Sequence, residues 1–414
     1  MLAEIITIGD ELLIGQVVDT NSAWMATQLN LAGIRVFQIT SVSDEEQHIL
    51  NALNEARQRA DIILITGGLG PTKDDITKET LCKYFNTHLV FNEDAYKALE
   101  IIFQKFGREI TPRNRTQAEL PLSCTPIINH KGTASGMMFE EDSKIFISMP
   151  GVPFEMKAMM TNDVLPLLMK RFKMPFVMHK TILTQGIGES FLADKLVSFE
   201  DHLPKPFKLA YLPSAGMVRL RLTAAGEEGL IKRTMNELTI QLESLIADYI
   251  YGYGEESLES IIGKLLHDAH KTISTAESCS GGYLAHLITT VPGSSEYYMG
   301  STITYSYQSK TDLLNVPMEI LTQFGAVSEK VVIMMAKGAL SCFKTDYSIA
   351  TTGIAGPSGG TSDKPVGTVW VGVGTPSGVV TKKFQFGGDR ERNIQMTAMN
   401  ALSVLRKILL KDLK

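Results

Sequence analysis

At roughly 150 residues per domain, a chain of 414 residues predicts about two to four domains, and 44% apolar with 21% charged residues excludes long disorder and collagen-like repetition. The 40 basic and 45 acidic residues leave a formal charge of −5, which argues against broad, sequence-independent nucleic-acid binding, because that needs a basic surface to displace counterions. No apolar run reaches the roughly 18 residues of a membrane span. The N-terminal stretch reads as an acid-bearing strand, not a cleavable leader, and Cys82, Cys124, Cys279 and Cys342 include no CxxC pair. The expectation is a cytoplasmic protein with no membrane contact and no direct nucleic-acid contact.

In chain order, Ala3 to Ile8 is a short apolar run ending at Gly9-Asp10. A helical stretch from Asn21 to Ala32 and an extended one from Ile34 to Val42 follow. Ile49, Ala52, Leu53 and Ala56 fall on one helix face, and residues 61–66 form a buried-type strand stopped by Gly67-Gly68. This alternation is the signature of a parallel sheet with crossover helices. Helices from about Asp75 and from Asn92 and a strand from Lys144 to Met149 complete a first domain, residues 1–170. Residues 171–252 read as a small α+β module with strands at 179–185, 208–212 and 218–224 and helices at 190–197 and 227–249; residues 252–256 read as a linker. A third unit, 253–414, has a helix to about Ala269, strands at 271–274 and 301–305, a helix containing Lys310, and a helix to Phe343 capped by Ser328. Strands at 347–351, 368–373 and 379–386 and a terminal helix from Asp389 close the chain. The fold class is α/β throughout.

Two stretches carry chemistry. The first, Gly67-Gly68-Leu69-Gly70, follows a buried strand and precedes a helix. In open α/β sheets ligands bind beyond the carboxyl ends of the strands, and glycines let a backbone approach phosphate closely. Asp74 and Asp75 add carboxylates for a divalent cation bridging protein and phosphates. A bare tight turn with helix-capping aspartates explains the same residues equally well, and the string is neither a Walker motif nor GxGxxG. The loops Gly132 to Gly136 and Pro150 to Glu155 supply further small residues and an acid, Glu155.

The second stretch, Ala276-Glu277-Ser278-Cys279-Ser280-Gly281-Gly282, joins a strand to a helix and holds three nucleophile candidates. A nucleophile there sits on an exposed turn, with the Gly281 and Gly282 amides available to an oxyanion. Cys279 has no histidine partner motif and reads as a structural cysteine. His286 is two helical turns off, and His267 with His270 makes only two metal ligands. Lys310, which a desolvated site could render neutral, is the better base for Ser278, against the plain alternative of a lysine on a solvated helix face.

These strings together resemble a known family. Gly67 to Gly70 with Asp75 and Thr77 is similar to the glycine loop of molybdopterin-binding domains. Ile8-Gly9-Asp10-Glu11-Leu12-Leu13 with Asp19-Thr20-Asn21 resembles the start of the CinA, competence/damage-inducible, family, and Gly186 to Ser190 resembles its KH-like module. Thr275 to Gly282, Thr304-Tyr305-Ser306 with Lys310, Gly325 to Glu329, Gly353 to Gly360, Lys364 to Trp370 and Gly388-Asp389-Arg390 are similar to its nicotinamide mononucleotide deamidase domain. The resemblance implies Ser278 as nucleophile, Lys310 as base and Tyr305 as helper, with Ser280, Gly281, Gly282, Thr352 and Arg390 toward nicotinamide mononucleotide. It implies ADP-ribose hydrolysis at Gly67, Gly68, Gly70, Thr77, Ser135 and Gly151, with a divalent metal on Asp75 and Glu155, no cofactor for the deamidase, and a homodimer. Lys131 and Ser135 stand where the family usually has proline, Phe154 where it often has arginine, and Ser280 where threonine is commoner. The rival expectations are a non-enzymatic partner in DNA uptake or repair and a pterin-binding N-terminal module.

Overall fold

The structure, a computed structural model, describes residues 1–214 and 216–413. The chain divides into two compact units, Met1–His179 with Ala224–Arg233 and Lys180–Thr223 with Thr234–Lys414. No helix among the described residues is long and apolar enough to cross a membrane.

The first unit is built on a six-stranded sheet in the order Arg35–Val42, Leu2–Ile8, Ile62–Thr66, Lys144–Met149, Gly136–Glu141, Thr125–Ile127. The first four strands are parallel and the last two antiparallel, so the sheet is mixed where the alternation of elements predicted parallel pairing alone. Ile62–Thr66 is buried along its whole length, as a central strand covered on both faces must be. Helices Thr20–Leu31 and Glu46–Arg59 supply Met25, Leu29, Ile49 and Leu53 to the two cores; each such side chain contributes about 1.5–3 kcal/mol on full burial. The helix expected from Asp75 starts at Thr77, which leaves Asp75 in the loop.

In the second unit, a five-stranded sheet runs Tyr298–Ile303, Ile273–Glu277, Tyr347–Gly353, Thr368–Thr375, Gly378–Gln385. The first three strands are parallel and the last two antiparallel. The strand expected at 271–274 instead runs to Glu277, because Thr275, Ala276 and Glu277 pair on both sides with Ser301 to Ile303 and Ile349 to Thr351. The neighbouring strand ends at Ile303, so Thr304 and Tyr305 lie beyond the sheet's carboxyl edge. Ser328 and Asp389 cap helices Glu329–Phe343 and Arg390–Asp412.

A four-stranded sheet, ordered Lys208–Ser214, Met217–Gly226, Phe176–Gln185, Ile250–Tyr253, forms the small α+β module with helix Glu189–Asp201. The linker expected at 252–256 is not free chain. Gly252 and Tyr253 belong to the sheet, and a Cβ on Gly252 would meet Ile261 Cδ1 at 2.6 Å. Leu183 and Tyr251 share one apolar core with Leu258, Ile262 and Leu402, so this boundary is packed.

Candidate functional site

Strands Leu2–Ile8, Ile62–Thr66 and Lys144–Met149 end side by side, and the loops that follow them wall a cleft of about 380 Å³. Gly67, Gly68, Gly70, Gly151, Asp75 and Glu155 all line it. Gly67 has φ +113°, and a Cβ there would stand 2.1 Å from the Ile8 carbonyl oxygen, so only glycine lets the loop pass so close to the first strand. Thr77 and Ser135, expected as ligand contacts, do not reach the cleft wall. Thr77 is fully buried; its Oγ1 donates to the Gly67 carbonyl at 3.2 Å and its N–H to the Gly68 carbonyl at 3.2 Å, so it pins the loop from beneath. Ser135 is buried where the strand Gly136–Glu141 begins.

The cleft gathers more acids than the sequence singled out: Glu11 and Asp44 join Asp74, Asp75 and Glu155. Burial pushes the Asp44 carboxyl up, and repulsion from Asp10, Glu11 and Asp74 adds to that while the Asp10 N–H, 3.0 Å away, opposes it. Burial likewise raises Glu155, partly offset by the Asn129 amide, which donates to it at 2.7 Å. Asp75 accepts the Thr72 N–H at 2.9 Å. Crowded oxygen donors that repel one another suit a hard divalent cation. Among the described residues no group of three or more His, Cys, Asp or Glu converges to hold a metal alone. One or two carboxylates completed by substrate phosphates is the usual magnesium arrangement, and these residues fit it.

The second site forms where Ile273–Glu277 and Tyr298–Ile303 end. Lys310 lies on helix Tyr307–Leu314, entered through the Ser306 capping box, and is 0% exposed. Its Nζ donates to Ser278 Oγ at 3.0 Å and to the Thr304 carbonyl at 2.5 Å. Burial lowers the Lys310 ammonium to about 8. At pH 7 roughly a tenth of such lysines are neutral, against about one in three thousand for a free one. Cys279 is the opposite case: burial pushes its thiol up to about 12, and its side chain belongs to the apolar core, so it stays protonated and inert.

Tyr305 is 64% exposed, and its hydroxyl accepts from Arg390 Nη2 at 2.9 Å while Nη1 donates to the Gly356 carbonyl at 2.8 Å. Ser280 and Thr352, expected toward substrate, are buried with their hydroxyls spent: Ser280 Oγ pairs with Thr351 Oγ1 at 2.7 Å, and Thr352 Oγ1 donates to the Ala326 carbonyl at 2.9 Å. The Gly281 and Gly282 amides, expected as oxyanion donors, are engaged as well. Gly281 donates to the Ser278 carbonyl at 3.2 Å and Gly282 to Glu277 Oε2 at 3.0 Å. Both glycines have positive φ and serve the turn itself.

Sequence reasoning assigned no role to Glu277, although a charge at the end of a strand of buried pattern was a visible signal. His267, weighed as a metal ligand, pairs instead with Glu296 at 3.0 Å and Asp268 at 3.3 Å on the surface.

Three families match the chain in sequence: the probable molybdopterin binding domain over residues 4–170, the damage-inducible protein CinA KH domain over 179–252, and the CinA C-terminal domain over 255–409. A CinA-like protein of Flavobacterium psychrophilum is 47% identical, covering 100% of this chain and 99% of its own. One from Cytophaga hutchinsonii is 46% identical with the same coverage. The solved structure of a competence/damage inducible protein from Agrobacterium tumefaciens is 37% identical and covers 36% of this chain and 92% of its own, with a TM-score of 0.36. The chain is thus a three-part member of the CinA family.

Proposed function

We propose that the C-terminal unit hydrolyses the carboxamide of nicotinamide mononucleotide to nicotinic acid mononucleotide and ammonia. The observation that carries this is the buried Lys310 Nζ on Ser278 Oγ, a base that can be neutral beside a serine at the carboxyl end of a sheet, where the turn expected to be exposed leaves Ser278 only 8% exposed. Neutral Lys310 takes the Ser278 proton as Oγ attacks the amide carbon, and the carbonyl π pair moves onto oxygen. When that pair returns, the C–N bond breaks and the lysine proton leaves on ammonia. Water then attacks the acyl-serine by the same proton path and releases the carboxylic acid. The Arg390 guanidinium, whose fork suits a phosphate, would trade Tyr305 and Gly356 for the 5′-phosphate. Ammonia release from nicotinamide mononucleotide by the purified protein, lost in Ser278→Ala, tests this.

For the N-terminal unit the same proposal assigns hydrolysis of ADP-ribose at its pyrophosphate to AMP and ribose 5-phosphate. Asp75 and Glu155 would hold a divalent cation, which neutralises phosphate charge when bound. The loop Gly67 to Gly70 lets backbone approach the phosphates, and Thr77 keeps that loop in place. The molybdopterin-binding family match favours a second reading, a pterin phosphate bound in this cleft without hydrolysis. Assay of AMP from ADP-ribose with and without added magnesium separates the two.

A further inference from the structure

We infer that the oxyanion formed at Ser278 is held by the backbone N–H groups of Cys279 and Ser280, and that Glu277 is the positioning residue that leaves those two amides free. This rests on the amidase reading of Ser278.

Buried N–H groups almost always find an acceptor, so the amides of this turn can be accounted for one by one. Ser278 donates to the Thr351 carbonyl at 3.1 Å, Gly281 to the Ser278 carbonyl at 3.2 Å and Tyr283 to the Ser280 carbonyl at 3.0 Å. Gly282 and Leu284 donate to Glu277 Oε2 at 3.0 and 3.1 Å, and Ala285 to Oε1 at 2.8 Å. From 278 to 285, only the amides of Cys279 and Ser280 have no acceptor among the described residues. These residues are 5% and 2% exposed.

An unmet buried donor is destabilising. Two in succession, directly after the nucleophile, are a cost that an incoming oxyanion removes. The residue after a nucleophile on a strand-to-helix turn commonly supplies such a donor. The Ser280 hydroxyl does not compete, because it pairs with Thr351, and the Cys279 thiol, a weak acceptor packed in the apolar core beside Thr397, is the one side chain against the Cys279 amide.

Glu277 explains why it is these two amides and not the glycines. Its carboxylate is 0% exposed and takes three N–H groups of the turn and of the helix that follows. The chain from 282 to 285 is therefore fixed, and the donors left to an oxyanion are upstream. In the reaction the carbonyl π pair that moves onto oxygen is the charge these amides meet; it returns to carbon as ammonia departs.

The test replaces single amide N–H groups by ester oxygen in the full chain. Lactic acid is placed at position 279 and compared with Cys279→Ala, and glyceric acid is placed at 280 and compared with wild type. Two readouts are taken: kcat and KM for nicotinamide mononucleotide, and the burst of Ser278 acylation by p-nitrophenyl acetate. Each ester should lower kcat about a hundredfold and slow the burst in parallel, with KM nearly unchanged. Wild-type rates in both ester proteins would overturn the inference. A wild-type burst without ammonia release would overturn the substrate reading alone, and the amides would still be judged on the burst.

Should the esters fail to fold, amide resonances of wild type with pyridine-3-boronic acid give the same answer. Shifts at Cys279 and Ser280 support the assignment, and shifts confined to Gly281 and Gly282 overturn it. For Glu277, the isosteric Glu277→Gln should lower kcat about tenfold while KM and the acidic limb of the pH profile stay in place. A displaced limb would assign Glu277 to the lysine's proton and overturn its positioning role.

Discussion

Lys310 Nζ donates to Ser278 Oγ across 3.0 Å from a position wholly removed from solvent. Burial favours the neutral amine, and only the neutral amine can accept the serine proton. The ammonium titrates at about 8, so the fraction able to act as base rises with pH up to that value and saturates above it. The deamidation rate should fall about tenfold per pH unit below that point and level off above it. A flat profile between pH 6 and 8 would remove Lys310 as base. Lys310→Arg should be inactive at every accessible pH, because guanidinium keeps its proton.

Adjacent nucleophile candidates are separated by their surroundings. Ser278→Ala should lose at least about a hundredfold in turnover. Cys279→Ala should keep most activity, because the thiol is held protonated inside the core; its cost is a small cavity, read as a lowered Tm. Thiol-alkylating reagents should correspondingly leave ammonia release intact. An inactive Cys279→Ala protein that still folds would reverse the assignment.

Arg390 offers its two terminal nitrogens to Tyr305 and Gly356. Arg390→Lys loses the fork that matches a phosphate. The expected result is a KM for nicotinamide mononucleotide raised about tenfold with kcat changed much less. The difference should vanish on nicotinamide riboside, which has no phosphate. Equal losses on both substrates would place Arg390 in the chemistry and not in phosphate recognition.

Much of this architecture was legible because its signals are local. The apolar run before Gly67, the helix face of Ile49 to Ala56 and the cap at Ser328 follow from periodicity and side-chain hydrogen bonding, which need no tertiary partner. The pairing of Ser278 with Lys310 spans 32 positions; residue types alone offer Lys310 as a base against the alternative of a solvated helix face, and the resemblance decides between them. What stayed hidden depends on who accepts which proton. The engaged Gly281 and Gly282 amides, the spent hydroxyls of Ser280 and Thr352, and Thr77 beneath its loop cannot be read from residue type. The same holds for Asp44, whose place in the acidic cleft comes from the strand order and not from any spacing within the sequence.

The N-terminal cleft gives the last prediction. The Asp75 carboxylate lies against Gly70 so closely that a Cβ on that glycine would stand 2.4 Å from Asp75 Oδ2, and Gly132 is related in the same way to Glu155, with 2.0 Å to Oε2. Gly70→Ala must therefore push Asp75 out of place without altering any charge, whereas Asp75→Asn removes the charge and keeps the shape. If Asp75 holds a divalent cation, both variants should weaken magnesium-dependent cleavage of ADP-ribose, and raised magnesium should restore Gly70→Ala more fully than Asp75→Asn. Chelation should abolish this activity in wild type and leave ammonia release from nicotinamide mononucleotide unchanged, because serine and lysine do that chemistry. Both reactions are measured on one preparation, with and without chelator. Metal-independent cleavage of ADP-ribose, or none with any divalent ion, would remove the metal-assisted hydrolase and leave the pterin-phosphate reading of the cleft.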